Sequence, residues 1–151
     1  MVPEVVQGLS GLPGGPHILD GEVCVLDDLG RSDFNRLQDR ARRRRWYEGV
    51  DSVVFCAFDL LALNGRSLIG VPVEQRKALL QALLDPAPPS VLHVGHFEAA
   101  EGRKLYADAK ELKLEGLVAK RLGSTYQPGE RSPDWVKCKV PGAVPPERFK
   151  R

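Results

Sequence analysis

Two lysines stand two residues apart in Trp135-Val136-Lys137-Cys138-Lys139-Val140, shortly after a second strand-like run, Glu115-Gly116-Leu117-Val118-Ala119-Lys120. Side chains alternate faces along a strand, so Trp135, Lys137 and Lys139 share one face and Val136, Cys138 and Val140 the other, which reads as core. Two ammonium groups held side by side repel each other, and the arrangement calls for an anion such as a phosphate. The competing reading of a lone Lys-x-Lys is a solvated edge strand guarded against aggregation. Asp20 and Glu22 fall on one face of the apolar run His17 to Leu26, where two carboxylates could hold a metal, a ribose or a base. Phe55-Cys56-Ala57-Phe58-Asp59-Leu60-Leu61 ends a buried run with an acid, and Gly116 permits close backbone approach at the head of its strand. Each has a structural reading when taken singly: a turn acid, a core phenylalanine, a helix-end glutamate.

The elements that must position these residues follow from pattern and punctuation. Residues 1–16 are turn-rich and read as an irregular lead-in. A strand is predicted from His17 to Leu26, and Asp33 is placed to cap a helix to about Arg45 with Phe34, Leu37 and Ala41 at helical spacing. Ser52 to Leu63 is the most apolar run, and Asn64-Gly65 turns the chain back towards Leu68 and Ile69. Pro72 suits the first turn of a helix to about Leu84, which Pro86, Pro88 and Pro89 end. A strand over Ser90 to Phe97, a helix over Glu98 to Leu114 and the two runs already named complete one α+β unit over 17–140. Its sheets are largely antiparallel with packed helices, and 141–151 form a tail.

Composition sets the outer bounds. The 151 residues carry a formal charge of +2 with 28% charged and 42% hydrophobic residues, ordinary values for one globular domain, so net charge alone does not argue for nucleic acid. Arg40 and Arg42 to Arg45 are clustered, and the end of a helix bearing them could meet a DNA backbone or simply complement the helix dipole in solvent. Cys24, Cys56 and Cys138 lie among apolar neighbours and read as reduced, buried thiols. His93 and His96 have no further ligand nearby and read as structural. No apolar stretch suits a membrane span and the start lacks a leader pattern, so a soluble, cytoplasmic protein with no membrane partner is expected.

Together and in this order, Asp20-Gly21-Glu22, Phe58-Asp59-Leu60-Leu61, Glu115 to Lys120, Arg131-Ser132-Pro133-Asp134-Trp135 and Lys137-Cys138-Lys139 resemble the nucleotidyltransferase domain of ATP-dependent DNA ligases, especially the short bacterial repair ligases. The resemblance covers Leu19 to Leu26, Val53 to Leu68, Glu115 to Tyr126 and Arg131 to Lys139. It implies ATP, carried as AMP, and Mg²⁺ or another divalent cation, with nicked duplex DNA as the partner. By the same resemblance Glu22 holds the ribose and Phe58 stacks on adenine, Phe55 being the competing aromatic and a core role the alternative for either. Glu115 sits by the cation, and Lys137 and Lys139 contact the α-phosphate and stabilise its charge. Arg42, Arg43, Arg44 and Arg45 become candidates for DNA contact, while Trp135 is taken mainly as packing.

The family also uses a Lys-x-Asp-Gly segment whose lysine carries AMP, and usually an OB-fold. The first lysine here is Lys77, and nothing in the lead-in resembles that segment. The expectation is therefore a ligase-family chain that is inactive by itself. The alternatives are a non-catalytic nucleotide- or DNA-binding remnant, or one part of a split ligase completed by a second chain or upstream segment. An RNA ligase or capping-type nucleotidyltransferase fits less well, because Phe-Asp-Leu-Leu and Arg-Ser-Pro-Asp-Trp look like DNA ligases.

Overall fold

The run richest in valine and phenylalanine becomes the strand on which the rest is assembled. A computed structural model describes residues 2–43 and 48–143. Val53–Leu63 forms β2, whose alternation buries Val53 and Ala57 and ends on the adjacent buried pair Asp59 and Leu60. Ile18–Val25, β1, pairs antiparallel along one edge of β2. The other edge is shared. Asn64-Gly65 reverses the chain with both residues at positive φ, so that β3, Arg66–Ser67, pairs antiparallel with the end of β2. Val91–His93, β4, lies parallel to Phe55, Cys56 and Ala57.

Helices cover this sheet where apolar stripes allow it. Asp33 accepts a 3.0 Å hydrogen bond from the Arg36 amide and caps α2, Phe34–Arg42, which packs on β1. Pro72 precedes α3, Val73–Leu83, whose Leu80 is fully buried with Leu60, Leu68, Leu84 and Val91 in the main core. Burying a leucine of this kind contributes about 2 kcal/mol. A 3₁₀ turn, Ala99–Glu101, leads into α4, Gly102–Glu111, and the hairpin of β5, Gly116–Lys120, and β6, Trp135–Lys139, forms a separate two-stranded sheet.

Three features depart from the sequence reading. The lead-in contains a helix, α1 (Pro3–Ser10), with Pro at its start and Val5 buried beside Val25 and Val53. Eight residues with an internal glycine carry no autonomous helical signal, so this helix depends on tertiary contacts, including the Ser90 hydroxyl donating to the Glu4 carbonyl at 2.7 Å. The strand at 90–97 is shortened to Val91–His93, the only stretch aligned with β2. The outer face of β6 is not core: Val136 is 53% exposed and Cys138 is exposed, because α4 packs against β5 and leaves β6 open, and only Val140 is buried. Cys56 is half-buried, and burial followed by the neighbouring Cys24 pushes its thiol up to about 12. No helix among the described residues is long and apolar enough to cross a membrane.

Candidate nucleotide site

The site forms where the β5–β6 hairpin meets β2. Register sets its faces: Lys120 lies opposite Trp135, Val118 opposite Lys137 and Gly116 opposite Lys139, so these six residues share one face. Gly116 is required there. Its φ is +143°, and a Cβ would overlap the Cys138 carbonyl across the hairpin. On β2, Asp59 is opposite Asp20 and Ala57 opposite Gly21, which leaves Phe58 as the extra residue of a bulge. At Gly21 a Cβ would come within 2.5 Å of the Cys56 carbonyl, so the Asp-Gly-Glu glycine lets the two strands approach.

A lysine joins the two sheets. Lys120 Nζ lies 4.0 Å from the centre of the Trp135 ring, 5.6 Å from that of Phe58 and 3.6 Å from Asp59 Oδ2. Arg76 from α3 grips Asp59 with two donors, Nε at 2.8 Å and Nη2 at 3.0 Å, and both side chains are 0% exposed. Arg76 also donates to the Ser124 carbonyl at 3.4 Å and lies 5.8 Å from the Tyr126 ring centre. The Tyr126 hydroxyl donates to Asp20 Oδ2 at 2.9 Å, and its ring meets Trp135 edge-on at 5.4 Å. The joint between the sheets is thus polar, built from a buried ion pair and ammonium-on-ring contacts.

Burial disfavours charge on Asp59, but the hydrogen bonds and charge of Arg76 outweigh it and hold the carboxyl below its ordinary range. Lys120 is lowered, first by burial and next by Arg76, with Asp59 opposing. Lys77, which donates to the Val94 carbonyl at 3.4 Å, falls from 10.5 to about 8 through burial and the nearby Lys120 charge. Tyr126 is raised by burial and by Asp20.

The sequence-derived candidates take these places. Lys137 and Lys139 are exposed on the Lys120 face of the hairpin, the face turned to Phe58. Glu115 is exposed one residue before Gly116, and its carbonyl accepts from the Val140 amide at 2.9 Å. Glu22 is exposed opposite Cys56, two residues before the bulged Phe58 on β2. Arg42 and Arg43 end α2 and are exposed, with Arg42 3.8 Å from Asp39; Arg44 and Arg45 lie outside the described residues. Asp20, opposite Asp59 beside the β2 bulge, accepts from the Tyr126 hydroxyl, whereas Glu22 is exposed.

A cleft of about 150 Å³ opens beside Trp135, lined by Thr125, Gln127 and Ser132 among others. The buried Trp135 Nε1 has no hydrogen-bond partner among the described residues and is a donor available to an acceptor. A larger cleft of about 320 Å³ between α1 and β1 has no Asp, Glu, Lys or Arg in its lining and carries no evident chemistry. Sequence reasoning passed over Lys120, Asp59, Arg76 and Tyr126 as functional groups. Lys120 and Asp59 were inside the quoted motifs and signalled by charge in apolar strands, whereas nothing marks Arg76 apart from any solvated helix arginine.

The family model of the ATP dependent DNA ligase domain matches residues 2–139. The chain belongs to this ligase family. Among relatives of this ligase domain, the multifunctional non-homologous end joining protein LigD of Pseudomonas aeruginosa is 38% identical over 138 residues, 91% of this chain and 16% of its own length. A probable DNA ligase of Kineococcus radiotolerans is 38% identical over 140 residues, covering 91% of this chain and 27% of the relative. This ligase chain therefore spans about a sixth to a quarter of those proteins. The crystal structure of the ligase domain of Mycobacterium tuberculosis LigD superposes with a TM-score of 0.63 at 36% identity, over 82% of this chain and 37% of that one. A mycobacterial DNA ligase D complexed with ATP and MES gives 0.64 at 37% identity, over 82% and 38%. The mixed helix and antiparallel-sheet architecture is that of the ligase nucleotidyltransferase domain.

Proposed function

We propose that this chain supplies the nucleotide- and DNA-facing surface of an ATP-dependent ligase that seals nicked duplex DNA through an AMP intermediate. The observation that carries the reading is the common face of Lys120, Lys137 and Lys139 turned towards Phe58. It offers an aromatic plane for adenine and, beyond it, two ammonium groups for the α-phosphate. Glu22 would take the ribose. Mg²⁺ would be held by Glu115 together with phosphate oxygens, the usual mode for this ion at a phosphate site. The cation would offset phosphate charge, while Lys137 and Lys139 do the same from the protein. Arg42 to Arg45 would contact the duplex backbone. Nick sealing within end joining is supported by the relatives named for non-homologous end joining, and a cytoplasmic setting belongs to the same proposal.

The amine that accepts AMP would come from a Lys-x-Asp-Gly segment outside these 151 residues, since the first lysine, Lys77, is buried on α3. That observation also favours a second reading, in which the polypeptide binds nucleotide or DNA without catalysis. Calorimetric titration with AMP tests the site: Lys137→Ala and Lys139→Ala should each weaken binding roughly tenfold, and Lys104→Ala on the exposed side of α4 should not. Unchanged affinity in both variants removes the phosphate role. Labelled ATP with Mg²⁺ should leave no acid-stable label on the polypeptide tested alone, and robust sealing of a nick by it would refute the external nucleophile.

A further inference from the structure

Lys120 Nζ is buried and has no hydrogen-bond partner among the described residues, although it stands 3.6 Å from a carboxylate. Asp59 is already engaged by two Arg76 donors and the Leu60 amide, so the ammonium is held by charge and by two aromatic faces rather than by a directed bond. A buried cation with spare donors is costly and persists where the surroundings fix it. Its placement has a geometric effect. Trp135 begins β6, and Lys137 and Lys139 follow it at alternate positions on the same face. Phe58 sits at a bulge, where no partner in β1 fixes it. One contact group therefore touches both the ring proposed to stack on the base and the residue that starts the phosphate-facing strand.

We propose that Lys120 is the positioning residue of the nucleotide site, an ammonium anchored on Asp59 that sets the separation between the Phe58 ring and the Lys137–Lys139 strand. A mononucleotide must bridge these two parts, whereas inorganic pyrophosphate needs only the lysines. The charged groups around Lys120 are Asp59 on β2, Arg76 and Lys77 on α3 and Asp20 on β1, so a change of its charge alone is shared with neighbours while its position is not. This inference rests on the nucleotide reading above.

The experiment compares AMP and pyrophosphate binding by calorimetry in the unsubstituted chain, Lys120→Met and Lys120→Arg, with circular dichroism verifying the fold. Lys120→Met should lose AMP affinity by about tenfold, the size of a desolvated cation–aromatic contact, and keep pyrophosphate affinity. Lys120→Arg, which also stacks on aromatic faces and pairs with carboxylates, should recover most of the AMP affinity. Equal AMP affinity in Lys120→Met, or an equal loss for AMP and pyrophosphate, overturns the positioning role. Failure of the unsubstituted chain to bind AMP overturns the nucleotide reading beneath it.

Discussion

Asp59 concentrates the energetics of the molecule at one residue. Its carboxylate and the Arg76 guanidinium are both fully buried and bonded at 2.8 and 3.0 Å, so removal of either leaves an uncompensated charge in the interior. Breaking such a pair costs about 3–5 kcal/mol, whereas replacing both partners with apolar groups of similar size is far less costly. Asp59→Leu and Arg76→Met should each lower the urea midpoint strongly, and the double variant should lose much less than the sum of the two. Additive losses would show that the two groups are stabilised by separate surroundings. This pair was illegible in the sequence for a physical reason: Phe58-Asp59-Leu60-Leu61 announces a buried acid, but its partner lies 17 residues on, in a helix where the adjacent Lys77 is equally plausible by type and short-range pattern singles out neither.

At the scale of elements, the hairpin and the sheet obey different rules. Strand β2 buries Val53, Ala57, Asp59 and Leu60 in the sheet, and burial of its apolar residues sets its register. No residue of β5 or β6 is fully buried, so the hairpin takes its register from Gly116 and its place from polar contacts: Lys120 to Asp59, Tyr126 to Asp20, and the Gly123 amide to Glu74 at 2.9 Å. Gly116→Ala forces a side chain into a positive-φ position against the Cys138 carbonyl, which should cost about 1–3 kcal/mol. Thermal unfolding should show the loss, and AMP affinity should fall with it because Lys139 is directly opposite. A variant as stable as the parent would show that the hairpin can slip without penalty.

For the whole molecule, the buried charges predict a pH dependence with opposed limbs. Asp59 has a folded pKa below its unfolded value, so its contribution is present above about pH 4 and is lost as pH falls through the lowered value. Lys77 has a folded pKa of about 8 against 10.5, so the unfolded chain binds more protons between these values and stability rises with pH across that window. Below pH 8 the desolvation cost of the charged amine is fully present. Lys77→Met should therefore stabilise the protein at pH 7, by about 2 kcal/mol, and by much less at pH 10.5. Denaturant titrations at the two pH values check this, and an equal effect at both would show that Lys77 is not charged and buried at pH 7.

Local chemistry was enough to determine strands β1, β2, β5 and β6, the Asp33 cap, the Asn64-Gly65 reversal, the glycine needed after Glu115 and the family-bearing lysines, because each depends on residues adjacent in the chain. Periodicity also placed Trp135, Lys137 and Lys139 on a common face. Tertiary structure alone decided that residues 3–10 are helical, that the outer face of β6 is open, and that the two sheets meet through Lys120, Asp59, Arg76 and Tyr126. Short-range patterns carry backbone preference and burial, but the strength of an ion pair depends on how much water the surrounding elements exclude, and that is known only once they have packed.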